Sequence, residues 1–130
     1  MRGNASVIEY LKAAERDQLF LSVVTFAEIE YGIARAPKGR RGLTERSKAL
    51  RDLFEALLTY IEVAFWDRAA AGRYAAIRVE CEEAGRAIVQ ADLMIAAHAA
   101  SLGATLVTAD KALLQRPKVR AMPMTVNWLA

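Results

Sequence analysis

The sequence contains a single cysteine, Cys81, and a single histidine, His98, among 130 residues. One cysteine excludes an intrachain disulfide framework, and one of each excludes a zinc site built from Cys and His ligands. The absence of disulfides suits a reducing compartment, so we expect a cytoplasmic protein. Both residues occur in helical patterns, which predicts a core position for Cys81 and a non-catalytic helix position for His98.

Long apolar runs and nucleotide-binding glycine loops are also missing. No apolar run approaches the ~18 residues of a membrane-spanning helix. Glu9 and Lys12 interrupt the N-terminal segment too early for a secretory signal peptide. We therefore expect no membrane association. The hydrophobic fraction of 55% excludes a disordered chain, and the length predicts one domain over residues 1–130.

Positive charge is concentrated in one part of the chain. The formal net charge is +3, yet residues 35–51, the basic segment, hold seven bases and one acid, Glu45. The bases are Arg35, Lys38, Arg40, Arg41, Arg46, Lys48 and Arg51. This segment sums to +6 and the remainder to −3. Such a segment suits an anionic partner such as RNA, although a solvated surface explains each base individually.

Short apolar runs alternate with amphipathic helical patterns along the chain. The predicted strands are Leu19–Val24, Val63–Trp66 and Leu106–Val107, and the clearest helical pattern covers Leu50–Ile61. This alternation predicts an α/β fold with a parallel sheet. Ligands of such sheets bind at the carboxyl ends of the strands.

Three acids lie near predicted strand ends or at a helix start, namely Glu28, Asp92 and Asp110. Each also has a purely structural interpretation. Glu28 fits the third position of a capping box begun by Thr25. Asp110 fits the cap of a short helix at Lys111, and Asp92 fits an N-cap. The apolar residues that follow Asp92 favour a bound cation as strongly as a cap.

Converging carboxylates repel one another and need a cation. A set of oxygen ligands favours Mg²⁺ or Mn²⁺. A metal of this kind activates water for attack on a phosphodiester. The three acids therefore predict a candidate nuclease site, with the basic segment offsetting the repulsion between acids and RNA.

The ordered motifs of the chain resemble a known family. TFAEIEYGI follows an apolar strand, GRAIVQADLMIAAHAASLGATLVTAD comes later, and NWL lies near the C-terminus. Together they resemble the PIN-domain ribonucleases, and most closely the VapC-type toxins of bacterial toxin–antitoxin pairs. The resemblance implies a three-layer α/β/α fold with a parallel sheet and metal-dependent endonucleolytic cleavage of RNA.

The resemblance also implies roles for individual residues and partners. Glu28, Asp92 and Asp110 match the acids that hold Mg²⁺ or Mn²⁺, and Thr108 matches the small hydroxyl residue before the last acid. RNA is the implied substrate. A cognate antitoxin is the implied protein partner, and a homodimer is the implied assembly.

One family feature is missing at the N-terminus. Family members begin with a short apolar strand that ends in an Asp, whereas this sequence begins Met1-Arg2-Gly3-Asn4. We therefore expect a fold that lacks the family's first central strand. A start site recorded too late, a truncated gene or a strand supplied by another chain would each explain this. The alternative function is a catalytically inactive PIN-like module that binds an antitoxin or self-associates.

Overall fold

The computed structural model describes residues 9, 12–15, 18–36, 38–39, 42–115 and 119–127. They fall into two compact units: the first unit lies within Glu15–Phe65, and the second combines the described residues of Met1–Ala14 with those of Trp66–Ala130. The sequence also predicts a helix over residues 4–15, most of which lies outside the described residues, and an extended segment over residues 122–128, of which Trp128 lies outside them. The strands are β1 (Phe20–Ser22), β2 (Lys38–Gly39), β3 (Gly42–Leu43), β4 (Glu62–Ala64), β5 (Leu106–Val107) and β6 (Thr125–Val126). The helices are α1 (Val23–Ala34), α2 (Glu45–Leu58), α3 (Arg68–Glu83), α4 (Gln90–Ser101) and α5 (Lys111–Leu114).

The first unit combines a parallel strand pair with two helices. β1 and β4 pair in parallel, with Leu21 opposite Val63. Phe26 of α1 and Phe54 of α2 bring their ring centroids to 5.4 Å, and Phe54 is buried. This tilted aromatic contact joins the two helices. Gly39 and Gly42 of the basic segment predict a loop, but both lie in the antiparallel pair of β2 and β3.

The strand–helix boundary in this unit differs from the prediction. The strand was expected to run to Val24, with Thr25 beginning the helix, but β1 ends at Ser22 and α1 begins at Val23. The Ser22 hydroxyl accepts the Val24 N–H at 3.1 Å and so caps the helix. A near-continuous apolar run such as Leu19–Val24 also predicts a strand buried on both faces. That prediction is wrong, because Phe20 is 49% exposed.

The second unit is organised around α3 and α4. Its core contains the buried residues Ile77, Cys81, Leu93, Ala96, Ala97, Leu113, Val119 and Met122. Cys81 is therefore a core residue, as predicted, and His98 is buried as well. β5 and β6 pair in parallel, with Leu106 opposite Thr125. Parallel pairs and intervening helices confirm the predicted α/β class.

Local sequence signals set the ends of α3 and α4. Asp67 caps α3 by accepting the Ala70 N–H at 3.0 Å. Gly85, with φ 67°, ends the same helix in a Schellman motif, because Arg86 N–H reaches Cys81 C=O at 2.8 Å. α4 ends in the same way at Gly103, with φ 63°.

Within the described part of the chain, no helix is both long and apolar enough to cross a membrane.

The two kinds of glycine in these helices predict opposite effects of substitution by alanine. Gly103→Ala is expected to destabilise the protein by about 1–2 kcal/mol, because an alanine is strained at positive φ. Gly72→Ala, inside α3 where an added Cβ meets nothing within 4 Å, should stabilise by about 0.5–1 kcal/mol. Urea unfolding measures both. Equal effects of the two substitutions would contradict this assignment of helix ends.

The core of the second unit is tested by a pair of substitutions in α3. Ile77 is fully buried, so Ile77→Ala should cost about 2–5 kcal/mol of unfolding free energy. Val79→Ala, at a 53% exposed position of the same helix, should change it by less than about 0.5 kcal/mol. Thermal unfolding followed by circular dichroism gives the comparison, and similar losses for both variants would refute the described orientation of α3.

Candidate functional site

Asp92 lies in the first turn of α4. The helix begins after Val89, which makes no side-chain cap, so Asp92 is a residue of the helix and its interpretation as N-cap is wrong. A carboxylate in this turn is favoured by the partial positive charge of the helix N-terminus. Asp92 is half-buried, and the next residue, Leu93, enters the core.

The core holds α4, and hence Asp92, in place. Ala96, one turn after Asp92, is fully buried, and Ala97 beside it is buried as well. Trp66 adds a polar anchor, because its indole Nε1 donates to the Met94 carbonyl at 3.1 Å. The backbone that carries Asp92 is therefore fixed by apolar contacts and by the hydrogen bond from Trp66.

Thr108 and Asp110 form one hydrogen-bonded turn after β5. Thr108 N–H donates to the Val126 carbonyl at 3.0 Å, which continues the pairing with β6. The Thr108 hydroxyl oxygen accepts the Asp110 N–H at 3.1 Å. The structure thus brings these two predicted site residues together.

Asp110 is also a helix cap. Its Oδ1 accepts the Ala112 N–H at 2.8 Å, so the structural interpretation of this residue is confirmed. Capping and metal binding do not exclude each other, because a carboxylate has two oxygens that each accept several contacts. Asp110 is exposed, which leaves it accessible to solvent and ions.

Glu28 lies on α1 of the first unit, whereas Asp92, Thr108 and Asp110 lie in the second unit. The capping-box interpretation of Glu28 is wrong, because Ser22 caps α1 and Thr25 lies inside the helix. Glu28 is exposed. An added Cβ at Gly32, one turn later, would meet nothing within 4 Å, so there is open space at this position.

The acids have the chemistry of a hard-cation site, since carboxylate oxygens are the preferred ligands of Mg²⁺ and Mn²⁺. Among the described residues, however, no group of three or more His, Cys, Asp or Glu side chains comes close enough to hold a metal ion. A site formed by Glu28, Asp92 and Asp110 therefore stays a prediction.

Arg86 contributes a contact that sequence reasoning missed. Its guanidinium Nη2 donates to the Ala112 carbonyl at 2.6 Å, across 26 positions of sequence. The single local signal is its place directly after a helix-ending glycine, which fixes its backbone but does not reveal its partner.

Arg86 also lines a cavity of about 250 Å³ between α3 and α4, together with Tyr74, Arg78, Cys81, Gln90 and Leu93. Burial raises the pKa of the Cys81 thiol, although the positive charge of Arg86 opposes this. The hydrogen bond to Glu82 raises the pKa of Arg78, and a second one to Tyr74 adds to the effect. The cavity thus combines the Cys81 thiol, two cationic side chains and the carboxylate of Glu82, which is paired with Arg78.

Comparison with known proteins identifies the family. The PIN domain profile matches residues 2–119. The plasmid stability protein StbB of Pseudomonas syringae pv. tomato is 33% identical over 107 residues, which cover 82% of this chain and 76% of that protein. Ribonuclease VapC2 of Rickettsia felis is 30% identical over 95 residues, covering 73% and 65%.

A solved structure supports the same assignment. It shows VapBC-5 of Mycobacterium tuberculosis, a member of the VapBC family of toxin–antitoxin systems. The similarity has a TM-score of 0.65 and 27% identity, and it covers 82% of this chain and 77% of that chain. The sequence and the fold agree, and the chain belongs to the PIN-domain family, in its VapC-type branch.

Proposed function

We propose that the protein is an endoribonuclease that hydrolyses RNA phosphodiester bonds. The observation that carries this proposal is the similarity to Ribonuclease VapC2 of Rickettsia felis over 73% of the chain. Asp92 and Asp110 provide further support, because both lie in the second unit at element ends, the first turn of α4 and the turn after β5.

We further propose that Glu28, Asp92 and Asp110 hold Mg²⁺ or Mn²⁺, directly or through water. Such a cation, when bound, lowers the pKa of a coordinated water and offsets the charge that develops on the phosphate. The chain's own residues determine where the carboxylates lie. Thr108 holds the Asp110 backbone amide, and the core contacts of α4 hold Asp92.

The basic segment supplies the attraction for RNA in this proposal. Arg46 is exposed at the start of α2, and Lys48 follows within the same helix. Arg51 lies 3.9 Å from Asp52 in an exposed ion pair, which leaves it largely solvated. Positive side chains of this kind bind phosphates without regard to base sequence and offset the repulsion between RNA and the acids.

We propose an antitoxin as the protein partner and the bacterial cytoplasm as the compartment. The similarity to VapBC-5, a member of a toxin–antitoxin family, supports both. A homodimer stays a prediction. The second candidate function is a non-catalytic module that binds an antitoxin, and the finding that favours it is that the described residues contain no three-acid group.

Substitutions of the acids separate these candidates. With a purified chain, RNA and Mg²⁺, Asp92→Asn and Glu28→Gln should each reduce cleavage by at least about 100-fold, because each removes a charged ligand. Glu30→Gln, an exposed acid on the same helix as Glu28, is the matched control and should retain activity. Wild-type protein that binds its antitoxin but does not cleave RNA would favour the non-catalytic module.

The salt dependence of RNA binding tests the basic segment. For single-stranded RNA, log affinity falls linearly as log salt concentration rises, and each lost phosphate contact makes this fall less steep by about 0.7. The double variant Arg46→Gln/Lys48→Gln should therefore reduce the steepness of the fall by about 1.4, if each base makes one contact. The control Arg68→Gln/Arg73→Gln removes the same charge from exposed positions of α3. An equal loss in the control would show that net charge alone matters.

A further inference from the structure

We infer that Arg86 is a positioning residue that fixes the Asp110 carboxylate by anchoring α5. This inference rests on the proposed function, in which Asp110 contributes to the reactive site. The observation behind it is a continuous chain of hydrogen bonds. Arg86 Nη2 donates to the Ala112 carbonyl at 2.6 Å, and Ala112 N–H donates to Asp110 Oδ1 at 2.8 Å.

The helix that carries this chain of bonds is too short to hold itself in place. α5 has four residues, and a single helical turn is not stable alone in water. Its position must come from contacts with the rest of the unit. Leu113, which is buried in the core, provides one contact, and the Arg86 bond to Ala112 provides another.

The anchor itself is rigid at both ends. The backbone of Arg86 belongs to the Schellman motif that ends α3, where Arg86 N–H donates to Cys81 C=O at 2.8 Å. Arg86 is half-buried, and its guanidinium makes a short, charge-assisted bond, which is stronger than a bond between neutral groups. A fixed backbone and a fixed head group together define where Ala112 lies.

The same residue connects the elements that carry two of the proposed ligands. Arg86 lies in the loop between α3 and α4, a few residues before Asp92 in the first turn of α4. Its side chain reaches the turn after β5, where the Asp110 N–H is held by Thr108. Movement of the α5 turn relative to this loop would therefore change the placement of the Asp110 carboxylate relative to Asp92.

The experiment compares Arg86→Met, which removes the donor and keeps the apolar stem, with Arg86→Lys, which restores a donor. Arg78→Met is the matched control, because Arg78 lines the same cavity but bonds Glu82 and Tyr74 within its own helix. The readouts are amide exchange at Ala112 and Leu114, Mn²⁺ affinity by calorimetry, and kcat and KM for RNA cleavage.

We expect Arg86→Met to accelerate exchange at Ala112 and Leu114 about tenfold, the scale of a lost bond to a charged group. Mn²⁺ affinity and kcat should fall by about tenfold or more, with KM for RNA within about twofold of wild type. Arg86→Lys should recover part of each loss, and Arg78→Met should behave as wild type.

Two results would overturn the inference. Unchanged exchange in α5 would show that Arg86 does not anchor it, and a rise in KM with unchanged kcat would make Arg86 an RNA contact instead. If Arg78→Met lowered Mn²⁺ affinity and kcat as much as Arg86→Met does, the cause would be the lost positive charge in the cavity. That result would also refute a positioning role for Arg86. If the wild-type chain does not cleave RNA, the proposed function fails, whereas exchange and Mn²⁺ affinity still decide the role of Arg86.

Discussion

The close packing of α4 in the core of the second unit is the constraint on which the candidate site depends. Ala96 and Ala97 are fully buried, and such small side chains allow neighbouring backbone to approach closely. Ile77 and Cys81 of α3 belong to the same core. Because this packing fixes the whole helix, it also fixes its first turn, where Asp92 lies.

The turn after β5 has no comparable support of its own. β5 has two residues and α5 has four, so neither element is stable in isolation. These short elements are instead stabilised by hydrogen bonds of the Thr108 and Arg86 side chains and by the burial of Leu113. Asp92 and Asp110 are thus held differently, the first by a packed helix and the second by a small network of polar contacts.

Much of the second unit could be predicted from sequence because its signals are local. The periodicity of Ala70, Ile77 and Cys81 identifies the buried face of α3, and Asp67 and Gly85 mark its ends. The start of α1 was predicted incorrectly because Ser22 and Thr25 are both good caps. Only the structure shows that Ser22 takes this role.

Contacts between residues far apart in the sequence could not be predicted from local sequence patterns. The bond from Arg86 to Ala112 spans 26 positions, and no periodicity or motif encodes it. The acids themselves were found because carboxylates near element ends are visible in the sequence. Their convergence depends on tertiary structure, and for Glu28, Asp92 and Asp110 alike it stays a prediction.

The central claim is that water, rather than a ribose hydroxyl, attacks the RNA phosphorus atom. Cleavage of a defined RNA in H₂¹⁸O with Mg²⁺, followed by mass spectrometry of the products, tests this directly. Water attack forms a new P–O bond and displaces the ribose 3′ oxygen, so we predict 5′-phosphate ends that carry one ¹⁸O and free 3′-hydroxyl ends. Products with 2′,3′-cyclic phosphate, or no Mg²⁺-dependent cleavage at all, would contradict the account.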